Sequence, residues 1–228
     1  VAIPQASIVA VILTVGAMAL AFFVRPALSL VLLAYLALGA AYTLKLKQFA
    51  IIDVFVIAAG FLLRAVAGAV AIHVAASSWF LLCTGLGALY LGLEKRRHEL
   101  LNLDANAVDS HRPALGQYSI QLLDRLESLV LPGLLTSYVF YSFLSVHGQW
   151  MMITVPFVIY GLMRYQQLSA RQDGNTGTPE EVLLKDRAVQ ITLAGWLLTA
   201  ALVVYGKIPQ LMQSLIESVD SLSMFSLR

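Results

Sequence analysis

The chain has 228 residues, a formal net charge of +2, 59% hydrophobic and only 12% charged residues, and a mean hydropathy of +0.80. That composition excludes a soluble globular domain and requires apolar runs long enough to cross a hydrocarbon core of about 30 Å. No separate soluble domain of useful size fits beside them, no nucleic-acid partner is expected, and the single cysteine, Cys83, precludes an intramolecular disulfide.

In chain order the apolar runs predict seven transmembrane helices in an all-α, polytopic membrane protein: Ile3 to Val24, Ala27 to Leu44, Phe49 to Ile72, Ser78 to Leu93, Leu122 to Val146, Met151 to Tyr165 and Ala188 to Tyr205. No basic segment precedes the first run and no convincing cleavage site follows it, so it reads as a span and not as a signal peptide. Pro4, Pro26 and Pro156 fall near helix starts, where proline costs least. Gly60, Gly68, Gly85 and Gly87 mark close backbone approach in the third and fourth spans. The same small-residue faces suit packing within one chain or self-association into a homo-oligomer. Beyond about Gly206, residues 207–228 form an amphipathic segment, with Leu211, Met212, Leu215, Ile216, Val219, Leu222 and Phe225 on one stripe.

The basic residues are divided unequally between the two membrane sides. Lys45, Lys47, Lys95, Arg96, Arg97, Arg112, Arg125, Arg164, Arg171, Lys185 and Arg187 lie on one side, against Arg25, Lys207 and Arg228 on the other. The rich side is cytoplasmic by the positive-inside rule. It also holds the two long connections, Glu94 to Gln121 and Gln166 to Arg187, so chemistry is expected at that face.

The third span carries ionisable residues of both signs, Asp53 and Arg64. Such residues are costly in hydrocarbon and mark functional positions by default. At about 100° per residue, Asp53, Gly60 and Arg64 share one helix face, which is therefore polar and notched. Asp53 and Arg64 are about 16 Å apart along the axis, so an ion pair to either needs another helix. Lys45 and Lys47, with Tyr42 one turn earlier, close the second span; snorkelling and a dipole-favoured acid account for them structurally, a substrate site functionally.

Three consecutive cations, Lys95, Arg96 and Arg97, emerge from the Gly-rich fourth span. An ammonium and two guanidiniums suit phosphate oxygens, although anchoring to anionic headgroups and a Lys95 to Glu99 helix pair are simpler uses of the same residues. His111 to Ser119 adds Arg112 and Tyr118. Thr176 to Arg187 reads as a capped entry to the last span, with Thr178 as cap, Pro179 first, and Glu180 and Glu181 in the first turn.

Taken together these residues carry a family resemblance. Tyr42-Thr43-x-x-Leu46-Lys47, Asp53, GFLLRAVAGAVA from Gly60, Glu94-Lys95-Arg96-x-x-Glu99-Leu100, Arg112-Pro113 through Tyr118-Ser119 with Leu122-Leu123-Asp124, and Glu180-x-x-Leu183-x-Lys185-Asp186-Arg187 occur in this order. The set resembles the UbiA superfamily of intramembrane prenyltransferases, most nearly its decaprenyl-phosphate phosphoribosyltransferase branch. The resemblance implies that residues 1–206 correspond to helices three to nine of a nine-helix bundle. Two helices and the family's first Asn-Asp-x-x-Asp-type motif are not among these residues, Glu94 stands where the branch commonly has Gly, and Thr43 where it commonly has Ser.

The implied activity is transfer of 5-phosphoribose from phosphoribosyl pyrophosphate (PRPP) to a polyprenyl phosphate with Mg²⁺, at the cytoplasmic face of a bacterial plasma membrane. Under that resemblance Tyr42, Lys45 and Asp53 are the expected catalytic residues. Lys47, Arg64, Lys95, Arg96 and Arg112 are expected to bind substrate phosphate, and Glu99 to contact metal. The basic loop after the fourth span favours this branch over prenyltransferases that attach an isoprenoid diphosphate to an aromatic, haem or chlorophyll acceptor. An inactive remnant, or a membrane protein that binds polyprenyl phosphate without catalysis, is the third reading. Replacing Lys45 or Arg96 by alanine is expected to abolish transfer and spare folding.

Overall fold

A computed structural model describes residues 3–102, 114–145, 148–170 and 185–206. Among these residues all regular structure is helical, with seven long helices. We label them α1 (Ile3–Val24), α2 (Pro26–Leu44), α3 (Ile52–Ala71), α4 (Ser78–Asn102), α5 (Ile120–Phe143), α6 (Val155–Ser169) and α7 (Arg187–Val204). Short 3₁₀ turns cover Leu46–Gln48, Leu115–Gln117 and Gly148–Thr154. By length and composition α1, α2, α3, α5 and α7 are apolar enough to span a membrane, and the protein is a multi-pass membrane protein.

The expected helices are all present, and two differ in a way that bears on function. The apolar part of α4 ends at Leu93, yet the helix continues through Glu94-Lys95-Arg96-Arg97-His98-Glu99 to Asn102. Helix hydrogen bonding does not stop where hydrophobicity stops, and Lys, Arg and Glu are good helix formers. The sixth helix is the shortest and is entered through the 3₁₀ turn Gly148–Thr154, so Met151 precedes the α-helix.

The chain divides into two compact units, residues 1–134 and 135–228. In the first unit α3 packs between α2 and α4. Gly85 and Gly92 of α4 make its approach to α3 possible: a Cβ on Gly85 would lie 3.2 Å from Leu62 Cδ1, and one on Gly92 3.5 Å from Val54. At the far end, Arg25 between α1 and α2 donates to the Val70 carbonyl at 3.1 Å, satisfying an acceptor in the last turn of α3. Large apolar side chains of α1 and α2 stand exposed, including Leu13, Leu20, Phe23 and Leu30, as helices surrounded by lipid require.

In the second unit a polar line ties three segments together. Trp196 Nε1 of α7 donates to Tyr138 Oη of α5 at 2.6 Å, Tyr138 and Thr154 hydroxyls are 2.7 Å apart, and Thr154 donates to the Met151 carbonyl. Asp186 is the N-cap of α7: its carboxylate accepts from Val189 N–H at 2.9 Å and meets Arg164 Nη2 at 2.7 Å. The expected cap at Thr178, the acids Glu180 and Glu181, and the tail 207–228 lie outside the described residues.

Candidate functional site

The connection from α2 to α3 contains a backbone conformation that most residues avoid. Ile51 has φ 69° and ψ −49°, and Ile52 N–H bonds back to the Ala50 carbonyl at 2.8 Å, so Ile51 is the centre of a three-residue γ-turn of the strained hand. A β-branched residue at positive φ costs on the order of 1–3 kcal/mol and persists only where its surroundings fix it. Two adjacent side chains do so. The amide of Gln117 donates through Nε2 to the Gln48 carbonyl at 3.0 Å and accepts from Ala50 N–H at 3.2 Å. The Tyr118 hydroxyl accepts from Ile51 N–H at 2.5 Å and donates to Asp53 Oδ1 at 2.7 Å.

Asp53 lies in the first turn of α3, where the helix dipole favours an anion, and is 2% exposed. Its second oxygen is 2.8 Å from Arg96 Nε of α4, and Arg96 also bonds Glu99 one turn further on. Burial opposes the charge on Arg96, but Glu99 and Asp53 outweigh it and hold the guanidinium above its ordinary pKa. Tyr42 adds a smaller electrostatic contribution to Arg96, which brings the end of α2 into the same neighbourhood. Burial first, and then the hydrogen bond to Asp53, push the Tyr118 phenol well above its ordinary pKa, so it remains a proton donor.

The three consecutive cations of α4 therefore face three ways, as steps of about 100° dictate. Lys95 is exposed, Arg96 is buried on Asp53, and Arg97 pairs with Asp124 of α5 at 3.0 Å. The partner of Glu99 is Arg96 at i−3. Lys45, the C-cap of α2, and Lys47, on the following 3₁₀ turn, are also exposed.

Asp53 and Arg64 share a helix face, as the spacing predicts, but the neighbour opposite that face changes along the axis. At the level of Asp53 it is Arg96 and Tyr118; at the level of Arg64 it is α2. Arg64 donates to Tyr35 Oη at 2.5 Å, and its guanidinium carbon lies 5.2 Å from the Tyr35 ring centre and 5.1 Å from that of Phe61. The groove here, of about 170 Å³, runs past Gly39, Gly60 and Tyr42. The structure thus gathers Asp53, Arg96, Glu99 and Tyr118 into one network and sets Tyr42 and Arg64 along one groove. Arg112 lies outside the described residues.

A second buried cluster was not expected. Glu94 and His98 of α4 and Glu127 of α5 are each at most 7% exposed. Tyr90 Oη lies 3.4 Å from Glu94 Oε1, and His98 Nε2 is 3.8 Å from Glu94 Oε2. Glu127 lies within electrostatic reach of Glu94. Burial pushes the His98 pKa down; Glu94 opposes this and Arg97 reinforces it. The signal for Glu127 was available, since it is an acid inside an otherwise apolar run.

Among the described residues no group of three or more His, Cys, Asp or Glu side chains has metal-binding geometry, and Asp53 and Glu99 are both engaged by Arg96.

No protein-family model matches the chain. It is similar to a protein of Mycobacterium tuberculosis named decaprenyl-phosphate phosphoribosyltransferase, with 33% identity over 203 residues covering 87% of this chain and 66% of the relative. Proteins of the same name from Mycolicibacterium smegmatis (30% identity, 85% of this chain, 64% of the relative) and Corynebacterium glutamicum (33%, 78% and 54%) are also similar. The chain spans just under two thirds, or less, of the length of these relatives.

Proposed function

We propose that the protein is a member of the decaprenyl-phosphate phosphoribosyltransferase family and that it transfers 5-phosphoribose from PRPP to a polyprenyl phosphate. An oxygen of the lipid phosphate attacks the anomeric carbon of PRPP. The bond from that carbon to pyrophosphate breaks, and pyrophosphate leaves with the bonding electron pair. Similarity over 87% of this chain to proteins carrying that name is the observation that supports this reading most.

The geometry supports phosphate chemistry. Lys45, Lys47 and Lys95 present exposed cations, while the acid Asp53 is buried and paired with Arg96. Lys45, Lys47 and Lys95 hold phosphate oxygens; ammonium groups on flexible stems can follow them from substrate to departing pyrophosphate. Arg96 and Asp53 position the lysine-bearing segment, Tyr42 orients ribose in the groove, and Arg64 and Arg112 are additional phosphate contacts. Mg²⁺ would arrive with the phosphates of PRPP and help neutralise them, and Glu99 would be its contact on the protein. The excess of basic residues at this end of the helices supports a cytoplasmic orientation in a bacterial plasma membrane.

The test is a transfer assay on the full-length protein in lipid nanodiscs. PRPP with polyprenyl phosphate is expected to give a phosphoribosylated lipid and pyrophosphate. Turnover of a prenyl diphosphate with an aromatic acceptor instead, or retention of polyprenyl phosphate without consumption of PRPP, would overturn the proposal.

A further inference from the structure

The γ-turn at Ile51 has no role in the chemistry just described, and it is the most strained backbone in the segment joining Lys45 and Lys47 to α3. Nothing local demands it: Ile51 lacks the freedom of glycine and has no side-chain cap. What fixes the turn comes from far along the chain. Gln117 and Tyr118 are adjacent in sequence and reach back across a separation of 67 residues to Ala50 and Ile51. Between them they engage the Gln48 carbonyl, the Ala50 N–H and the Ile51 N–H, nearly every free backbone group of the short segment that follows Lys47.

The Tyr118 hydroxyl can serve both partners at once only as a neutral phenol. It accepts one hydrogen bond from Ile51 N–H and donates its own proton to Asp53. Asp53 in turn is anchored by Arg96, whose backbone belongs to the same helix as Lys95. A continuous chain of contacts therefore runs from the α4 cations through Asp53 and Tyr118 to the turn that aims the α2 lysines.

We propose that Gln117 and Tyr118 are positioning residues that latch the Ile51 γ-turn and thereby set the placement of Lys45 and Lys47 for a substrate phosphate. The inference rests on the phosphoribosyl-transfer reading. Either PRPP or the lipid can supply the phosphate that these lysines meet. Without the latch the turn relaxes to an ordinary loop and the lysines sample many positions, so phosphate binding weakens while the bond-making step, once substrate is bound, changes little.

The experiment uses the full-length protein in nanodiscs, with Tyr118→Phe, Gln117→Leu, and Tyr118→Phe combined with Ile51→Gly. Initial rates are measured with PRPP varied at saturating polyprenyl phosphate, and then the reverse. Tyr118→Phe and Gln117→Leu are each expected to raise KM for one of the two substrates roughly tenfold, as loss of about 1.4 kcal/mol of binding would do, with kcat within about threefold of wild type. The substrate whose KM rises identifies the phosphate source. Ile51→Gly in the Tyr118→Phe background is expected to restore part of that KM, because glycine takes positive φ without a clamp. Gln117 is exposed and Gln117→Leu leaves the Asp53 network untouched, so it reports on the latch even if Tyr118→Phe folds poorly. Unchanged KM for both substrates in Gln117→Leu, or a glycine rescue of thermal stability without rescue of KM, overturns the latch. A wild-type protein that fails to transfer phosphoribose overturns the reading beneath it instead. In that case, protection of Lys47 from amine labelling by inorganic pyrophosphate, measured in wild type and Gln117→Leu, decides the latch separately: equal protection refutes it, and protection lost in the variant upholds it.

Discussion

Arg96 and Asp53, 43 positions apart in sequence, form an ion pair with Nε 2.8 Å from Oδ2 and side chains 2% and 3% exposed. The pair joins the N-terminal turn of α3 to the polar extension of α4. Removing one member leaves a buried charge with its main counter-ion gone, which is far more damaging than removing both. The pair changes the expectation for Arg96→Ala, which is expected to lower stability as well as transfer. Arg96→Met is expected to lower stability by about 3–5 kcal/mol, and Arg96→Met with Asp53→Asn to recover a large part of that loss. Denaturant unfolding of the four proteins in detergent checks it; additive losses would refute the coupling.

Lys45 and Lys47 are exposed, and neither takes part in the ion pairs described above. Substitution of either by alanine is expected to change stability by less than about 0.5 kcal/mol. Transfer activity at sub-saturating PRPP is expected to fall at least about tenfold, the worth of one phosphate contact of about 1.4 kcal/mol. Thermal unfolding and initial rates measured on the same preparations separate the two effects. Wild-type rates in both variants would remove these lysines from the site.

His98 is expected to give the protein a dependence on acidity near neutral pH. Its folded-state pKa lies below the ordinary 6.5, chiefly through burial, with Glu94 opposing and Arg97 reinforcing the shift. Below about 6.5 the unfolded chain takes up a proton that the folded chain resists, so stability falls with falling pH until the folded-state pKa is passed. His98→Gln is expected to flatten the midpoint temperature between pH 7 and pH 5 relative to wild type. A parallel pair of curves would show that His98 does not set this dependence.

Asp186 serves α7 in two capacities, as cap and as partner of Arg164. Its pKa is held below the ordinary carboxylate range by the Arg164 hydrogen bond first and by Val189 N–H next. The stabilisation is present at neutral pH and is lost only as pH falls below about 4 and through the folded-state pKa. Asp186→Ala is expected to cost about 1–2 kcal/mol, whereas Asp186→Asn, which keeps a capping oxygen, is expected to cost under about 1 kcal/mol. Equal losses in the two variants would assign the effect to the ion pair. Equilibrium unfolding at pH 7 distinguishes them.

The helices were legible because hydrophobic runs and their breaks act locally; the run from Ile3 to Val24 bounds α1 as the sequence suggests. The end of α4 was not, because the change from apolar to charged at Glu94 marks a solvent boundary and not a break in helix hydrogen bonding. Asp53, Arg96, Glu99 and Tyr118 were visible as residue types, but their pairing depends on which helix stands opposite, information that no spacing within one helix contains. Arg64 shows the same limit. Its position in an apolar run was plain, whereas its contact with Tyr35 follows only from the packing of α2 on α3. Ile51 left no trace at all, since an isoleucine is the residue least expected at positive φ.

The continuous helix from Gly92 to Glu99 also sets how this protein can tolerate changes of length. Each residue there turns the next by about 100°, so inserting or deleting one between Leu93 and Arg96 would carry the guanidinium away from Asp53 and bring a neighbour of different chemistry into its place. Variation in length across homologous proteins should therefore be absent from this helical stretch, whatever is tolerated in the connections around it.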